Sequence, residues 1–222
     1  MNLALFDLDG TLLPIDSDHA FGEFLIGLGW ADAEAYRRRN DAFYEQYKAE
    51  RLDIDDYVDF ATAPWRARDP RELEAASRRF VEEIVRPALR PEALELVQRH
   101  RSEGDRLAVV TATNEFITRP IAELFGVPDL IATELQRDAA GRVTGAIRGT
   151  PAFREGKVRR VEQWLRQAGH GWDDLGRSVF YSDSTNDLPL LERVSDPVAT
   201  NPGPALERVA RERGWPILNL FA

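Results

Sequence analysis

The run Asn2–Phe6 is almost wholly apolar and stops at a pair of acids, Asp7 and Asp9. A strand with no polar face fits only inside a parallel sheet covered on both sides. Similar short runs recur at Leu107–Val110, Ser178–Tyr181 and Val198–Ala199, with Pro216–Leu218 as a last one. Helix-like stretches separate them. Arg154–Ala168, for example, places Val158, Val161, Leu165 and Ala168 on one face and ends at Gly169. Strands alternating with helices predict an α/β fold, a Rossmann-like open parallel sheet that binds ligands at the carboxyl ends of its strands.

One long interruption breaks this alternation. From about Asp18 to Arg86 there is no strand pattern but several helical ones, with breaks expected at Pro64, Asp69-Pro70 and Pro87. We therefore expect a catalytic core of residues 1–16 and 87–222, with an all-helical cap of residues 17–86 inserted between the first two strands. The insertion holds 11 of the 21 aromatic residues. Most of these serve the core of a small helical bundle, and a few are candidates to face a substrate. A small β-hairpin is expected within 133–152, its turn at Asp138–Gly141 flanked by Thr133–Gln136 and Arg142–Ile147.

Composition narrows the chemistry. With a net charge of −9, the chain is a poor partner for nucleic acid or an anionic membrane surface. A small phosphorylated metabolite can still bind where the local charge is positive. The absence of cysteine excludes disulfides, thiolate catalysis and zinc–cysteine sites. His19, His100 and His170 show no metal-ligand spacing and read as packing or solvated residues. No basic segment precedes the first apolar run and no run approaches membrane-spanning length, so a cytoplasmic protein is expected.

Four elements carry the chemistry. The first is Phe6-Asp7-Leu8-Asp9-Gly10-Thr11 at the end of the first strand, where alternation points Asp7 and Asp9 to one side. Gly10 permits a sharp exit, and Thr11 is placed to satisfy free backbone groups. The second is Asp183-Ser184-Thr185-Asn186-Asp187, just after an apolar strand. One such residue can cap the following helix, but that leaves two carboxylates unexplained. Acids gathered at neighbouring strand ends need a hard cation among them, and Mg²⁺ suits a few carboxylates plus a phosphate. The third is Thr111, whose hydroxyl either meets a phosphoryl oxygen beside the Ala112 amide or caps a helix, a task Asn114 would do equally well. The fourth is Lys157. Only Lys48 and Lys157 among the 29 basic residues are lysine, and a compact ammonium suits a point contact with a phosphoryl group and a carboxylate.

In this order and at these strand ends, the elements resemble the haloacid dehalogenase superfamily, over essentially the whole chain. The insertion between Asp9 and Thr111 resembles the cap of its phosphoserine-phosphatase-like branch, as does the tail Asn201-Pro202 with Gly214-Trp215-Pro216. The resemblance implies a Mg²⁺-dependent phosphomonoesterase with Asp7 as nucleophile and Asp9 as general acid and base. It further implies that Asp7, Asp183 and the backbone carbonyl of Asp9 hold the metal. Thr111, Ala112, Lys157 and an amide near Leu8 would bind the phosphoryl group. Asp187 would orient Lys157 or a metal-bound water, with Ser184 and Asn186 around it. Dehalogenases of this superfamily lack the second acid, so Asp9 disfavours carbon–halogen cleavage. A phosphotransferase or phosphomutase uses the same residues and is the alternative, and a non-catalytic phosphate-binding protein is a third reading.

Asp16, nine residues after Asp7, matches the position where phosphoserine phosphatases carry an acid that recognises the substrate's ammonium group. Here it is the shorter Asp, with Asp18 close by. The resemblance thus implies an amine-bearing ester of the phosphoserine or histidinol phosphate class, while the local pattern also suits a helix cap. Arg51, Arg66 and Arg68 are candidates for a substrate carboxylate.

Overall fold

The computed structural model describes residues 1–49 and 51–221. β1 (Asn2–Phe6) leads into the helical insertion, formed by α1 (Ser17–Gly27), α2 (Ala33–Lys48), α3 (Ile54–Thr62) and α4 (Pro70–Phe80). A π-helical turn at Val81–Val85 continues α4 into the short α5 (Arg86–Ala88). The chain then returns through α6 (Pro91–Ser102), β2 (Arg106–Asn114), α7 (Glu115–Leu124) and β3 (Asp129–Thr133). A hairpin of β4 (Leu135–Arg137) and β5 (Val143–Ile147) precedes α8 (Glu155–Gln167) and β6 (Arg177–Ser182). α9 (Leu188–Leu191), β7 (Asp196–Thr200), α10 (Pro204–Arg213) and β8 (Ile217–Leu218) complete the fold.

The six-stranded sheet has the order β3-β2-β1-β6-β7-β8, and its pairings are parallel. β1 is central, with Phe6 level with Val109 on one side and Tyr181 on the other. Its alternation divides the core as a two-residue period requires. Leu3 and Leu5 pack with Val161, Leu165 and Phe180, whereas Ala4 and Phe6 pack on the opposite face with Val109 and Ile121. From β1 the chain builds outward to β3 on one side, then crosses to β6 and builds outward on the other. The crevice between those halves, at the carboxyl ends of β1, β2 and β6, is where such sheets bind ligands.

Each of the first four helices starts on an aspartate. Asp16, Asp32, Asp53 and Asp69 accept backbone N–H groups from the first turn of α1 to α4. An N-cap carboxylate satisfies donors that the helix leaves open. Tyr36, Phe43 and Phe60 form a small core of their own. Other aromatic residues join the insertion to the sheet layer: Trp65 stacks on Phe116 of α7 with centroids 4.5 Å apart. α3 also lies against β5, where Gly145 sits so close to Arg66 and Asp59 that a Cβ would overlap them.

Three details differ from the sequence expectation. β3 was not expected, because its Asp129–Thr133 segment opens with an acid and holds only a short apolar centre. β2 runs on to Asn114, well past the apolar stretch. Pro87 does not break the helix; it lies within α5, and helical structure stops at Leu89. The π turn explains this, since the Arg86 N–H already reaches back five residues to the Val81 carbonyl. The missing proline donor then falls where the hydrogen-bond ladder changes register. No helix among the described residues is long and apolar enough to cross a membrane.

The central position of β1 yields a stability prediction. Leu5 is fully buried and Leu94 on α6 is 37% exposed. Leu5→Ala should cost about 2–5 kcal/mol in urea unfolding, and Leu94→Ala about 0.5 kcal/mol or less. Equal losses would contradict the layered core.

Candidate active site

The site is built around one buried ammonium. Lys157 stands in the first turn of α8, and its Nζ donates to Asp7 Oδ1 at 2.9 Å and to Asp187 Oδ2 at 2.7 Å. Asp187 also accepts from Ser182 Oγ at 2.7 Å. The start of α8 is held tightly enough to aim that lysine. Gly156 lies where a Cβ would overlap the Pro151 carbonyl, and Arg154 adopts φ 51°, a region non-glycine residues rarely enter. Arg154 Nε donates to Asn186 Oδ1 at 3.2 Å, tying the start of α8 to the 183–187 loop.

Asp183 approaches from β6 over the Gly10 turn. Gly10 has φ 73°, and a Cβ there would overlap the Asp183 carboxylate, so both backbone conformation and space require glycine. Thr11 Oγ1 donates to Asp183 Oδ1 at 3.2 Å, rather than serving the backbone as the sequence suggested. Asn201 secures the turn from the far strands: its Nδ2 donates to the Gly10 and Thr11 carbonyls at 2.9 and 3.2 Å. Its Oδ1 accepts from the Leu220 amide at 2.6 Å.

Asp9 is held from two sides, by the Ser17 amide at 2.8 Å and by Thr113 Oγ1 at 3.0 Å. Thr113 was missed by sequence reasoning, although its two-residue spacing from Thr111 on one strand was the available signal. Asn114 caps α7 through the Ile117 amide, while Thr111 lines the cavity and its Oγ1 accepts from the Thr113 amide at 3.2 Å. Ser184 caps the turn that follows it. From α2, Tyr47 Oη donates to Ser184 Oγ at 3.4 Å, and Asn186 Nδ2 donates to the Tyr47 carbonyl at 3.3 Å. Tyr47 had no sequence signal, because a lone tyrosine on a helix reads as packing.

These groups line a cavity of about 230 Å³. Asp7, Asp9, Thr111, Ala112, Lys157 and Asp183 form its floor, and His19, Asn40, Phe43, Tyr47 and Tyr57 come from the insertion. Asp16 and Asp18 line it as well, although Asp16 Oδ1 also caps α1 through the His19 amide at 2.9 Å. The Leu8 side chain is fully buried in the core, while its amide lies beside the Asp7 carboxylate.

Burial dominates the electrostatics. It raises Asp7 to about 6 against the opposing pull of Lys157. Asp183 is pushed well above the usual carboxylate range, first by burial and then by the charges of Asp7 and Asp187. Asp9 is raised by burial and by Asp16. Burial works against the charge on Lys157, but Asp187 and Asp7 outweigh it and hold the ammonium. Asp7, Asp183 and Asp187 thus share one positive charge, and such an arrangement is costly without more. An all-oxygen donor set short of positive charge fits a hard divalent cation such as Mg²⁺. His100, Glu103 and Asp105 also cluster, at the amino end of β2. There both ring nitrogens of His100 are engaged, by Asp105 at 2.7 Å and Tyr181 at 2.7 Å, which fits the packing role expected for this histidine.

Comparison with known proteins places the chain in a family. Residues 4–192 match the haloacid dehalogenase-like hydrolase family. The chain is 45% identical over 218 residues to a histidinol-phosphatase of Neisseria meningitidis serogroup C, covering 98% of each. It is 48% identical to a protein of unknown function from Bordetella pertussis Tohama I, whose crystal structure aligns with a TM-score of 0.93 over 99% of both chains. A substrate-bound phosphoserine phosphatase shares the fold, with a TM-score of 0.68 at 17% identity, covering 97% of this chain and 91% of that one. The chain belongs to the haloacid dehalogenase-like hydrolase family.

Proposed function

We propose that this haloacid dehalogenase-type phosphatase hydrolyses a small, amine-bearing phosphate monoester through a phosphoryl intermediate on Asp7. The observation that carries the reading is the Lys157 clamp, 2.9 Å from Asp7 and 2.7 Å from Asp187, at the mouth of the sheet crevice. It fixes one carboxylate in a buried cavity beside a second acid, Asp9, that is held separately.

In the first step an Asp7 carboxylate oxygen attacks phosphorus and the ester P–O bond breaks. The leaving alkoxide takes a proton from Asp9. In the second step Asp9 accepts a proton from water, the water oxygen attacks the acyl phosphate, and inorganic phosphate leaves with Asp7 restored. Thr111, Lys157 and the amides of Leu8 and Ala112 bind the phosphoryl oxygens, where transition-state charge accumulates. Asp7, Asp183 and the Asp9 carbonyl would hold Mg²⁺, which when bound shields the approach of an anionic nucleophile to an anionic ester. Asp187 orients Lys157, while Ser184 and Asn186 hold the loop against Tyr47. Residues 17–86 act as the cap that governs water access.

The amine is supported by the acids lining the cap side of the cavity, Asp16 and Asp18, and by the similarity to a histidinol-phosphatase. Phosphoserine and histidinol phosphate represent the substrate class.

Two outcomes are expected. Asp7→Asn should abolish turnover of p-nitrophenyl phosphate while circular dichroism shows an unchanged fold; activity within tenfold of the parent would remove Asp7 as nucleophile. EDTA should inactivate the enzyme and added Mg²⁺ restore it, whereas full activity in chelator would contradict the cation role of the acid cluster.

A further inference from the structure

We propose that Thr113 is a positioning residue for the leaving-group step: its hydroxyl fixes the transferable proton of Asp9 on Oδ2 and aims it at the ester oxygen. This deepens the phosphatase reading above and rests on it.

The two carboxylate oxygens of Asp9 have partners of different kinds. Oδ1 accepts from the Ser17 amide at 2.8 Å, and Oδ2 accepts from Thr113 Oγ1 at 3.0 Å. A backbone N–H can only donate, so a proton on Oδ1 would face another hydrogen and forfeit that bond. A hydroxyl carries one donor and two acceptor lone pairs, and it rotates to suit its neighbour. Thr113 donates to Oδ2 while Asp9 is ionised and turns to accommodate an Oδ2–H when Asp9 is protonated. Oδ2 is therefore the oxygen that holds the proton, and Thr113 serves both states through which a general acid and base passes. As the ester P–O bond breaks, the Asp9 Oδ2–H bond breaks and an O–H bond forms on the leaving alkoxide. The Thr113 hydroxyl then turns back to donate to the new carboxylate.

The strand supplies a second ground. Thr111 and Thr113 stand two apart on β2, and both line the cavity with Asp9. The pairing of β2 with β3 shifts register between Val110 and Asn114. Within that shift the Thr113 amide donates to Thr111 Oγ1 at 3.2 Å. Thr111 spends an acceptor lone pair there and keeps its own hydrogen for a phosphoryl oxygen. One short segment thus serves both sides of the breaking bond: Thr111 faces the phosphoryl group, and Thr113 acts through Asp9 on the leaving oxygen.

The other acids and cations near the cavity have different tasks. Lys157 is engaged by Asp7 and Asp187, Thr11 donates to Asp183, and Asp16 caps α1. Asp18 lies beside the Tyr57 hydroxyl, and the His19 ring is 3.3 Å from Asp41. Among the described residues no arginine lines the cavity. The arginines that the sequence offered for a substrate carboxylate lie elsewhere: Arg66 pairs with Asp59, Arg68 covers the Trp30 ring at 4.7 Å, and Arg51 is exposed.

Phenyl phosphate and p-nitrophenyl phosphate share a ring but differ in their need for a proton, because the nitro group delocalises the charge of the departing phenolate. The purified full chain with Mg²⁺ is compared with Thr113→Val, which keeps the side-chain shape without the hydroxyl, and with Thr113→Ser, which keeps the hydroxyl. Thr113→Val should lower the ratio of kcat/KM for phenyl phosphate over p-nitrophenyl phosphate about tenfold or more, and Thr113→Ser should return the ratio to that of the parent. An unchanged ratio in Thr113→Val, the mark of a merely structural role, would overturn the proposal. So would a serine variant whose ratio falls as far as that of the valine variant. Thr113→Ala is read in the same way if the valine variant does not fold by circular dichroism, and loss of fold in both would show a structural role instead. Failure of the parent on both esters, or an unchanged ratio in Asp9→Asn, would overturn the phosphatase reading or its general acid, and this proposal with it.

Discussion

The contact between the Lys157 ammonium and the carboxylates of Asp7 and Asp187 is the constraint on which the rest of the structure depends. It joins three separated stretches of chain at the floor of the cavity, where the three side chains are almost wholly buried. A buried ion pair of this kind is a weak source of stability, because desolvation offsets most of its attraction. Its effect is positional. The ammonium keeps Asp7 at the end of β1, and Asp187 with Ser182 keeps the ammonium there. The local oddities serve the same end. Gly10 leaves room for Asp183, the unusual backbone at Arg154 starts α8 where its lysine can reach, and Asn201 ties the turn down from the far side of the sheet.

The helical insertion is coupled to that centre at more than one place. Tyr47 touches the 183–187 loop through both its hydroxyl and its carbonyl. Ser17, at the start of α1, donates its amide to Asp9. Trp65 on Phe116 and α3 on β5 fix the insertion's other flank. The groups closing the cavity therefore belong to the same hydrogen-bonded assembly as the groups at its floor. A cap that governs access would work against those contacts when it opens.

Much of this was legible in the residues. The apolar runs announced a parallel sheet because strands buried on both faces have no polar alternation to hide them. The motif acids and Lys157 lay where sheet geometry says ligands bind, and the structure gathers them at one cavity. What stayed hidden has physical reasons. β3 is short and opens on an acid, so its pattern is weak. Pro87 looked like a break because the π turn that tolerates it has no sequence signature. Thr113 and Tyr47 matter through partners more than 60 residues away, which no local pattern encodes. Asp16 is the expected helix cap and also lies at the cavity wall.

The central claim is that buried carboxylates from two strand ends share one divalent ion beside the nucleophile. Anomalous diffraction from crystals soaked in Mn²⁺, a stand-in for Mg²⁺, tests it most directly. The account predicts a single strong peak between the carboxylates of Asp7 and Asp183. A peak at His100, Glu103 and Asp105 instead, or none near Asp7, would contradict it.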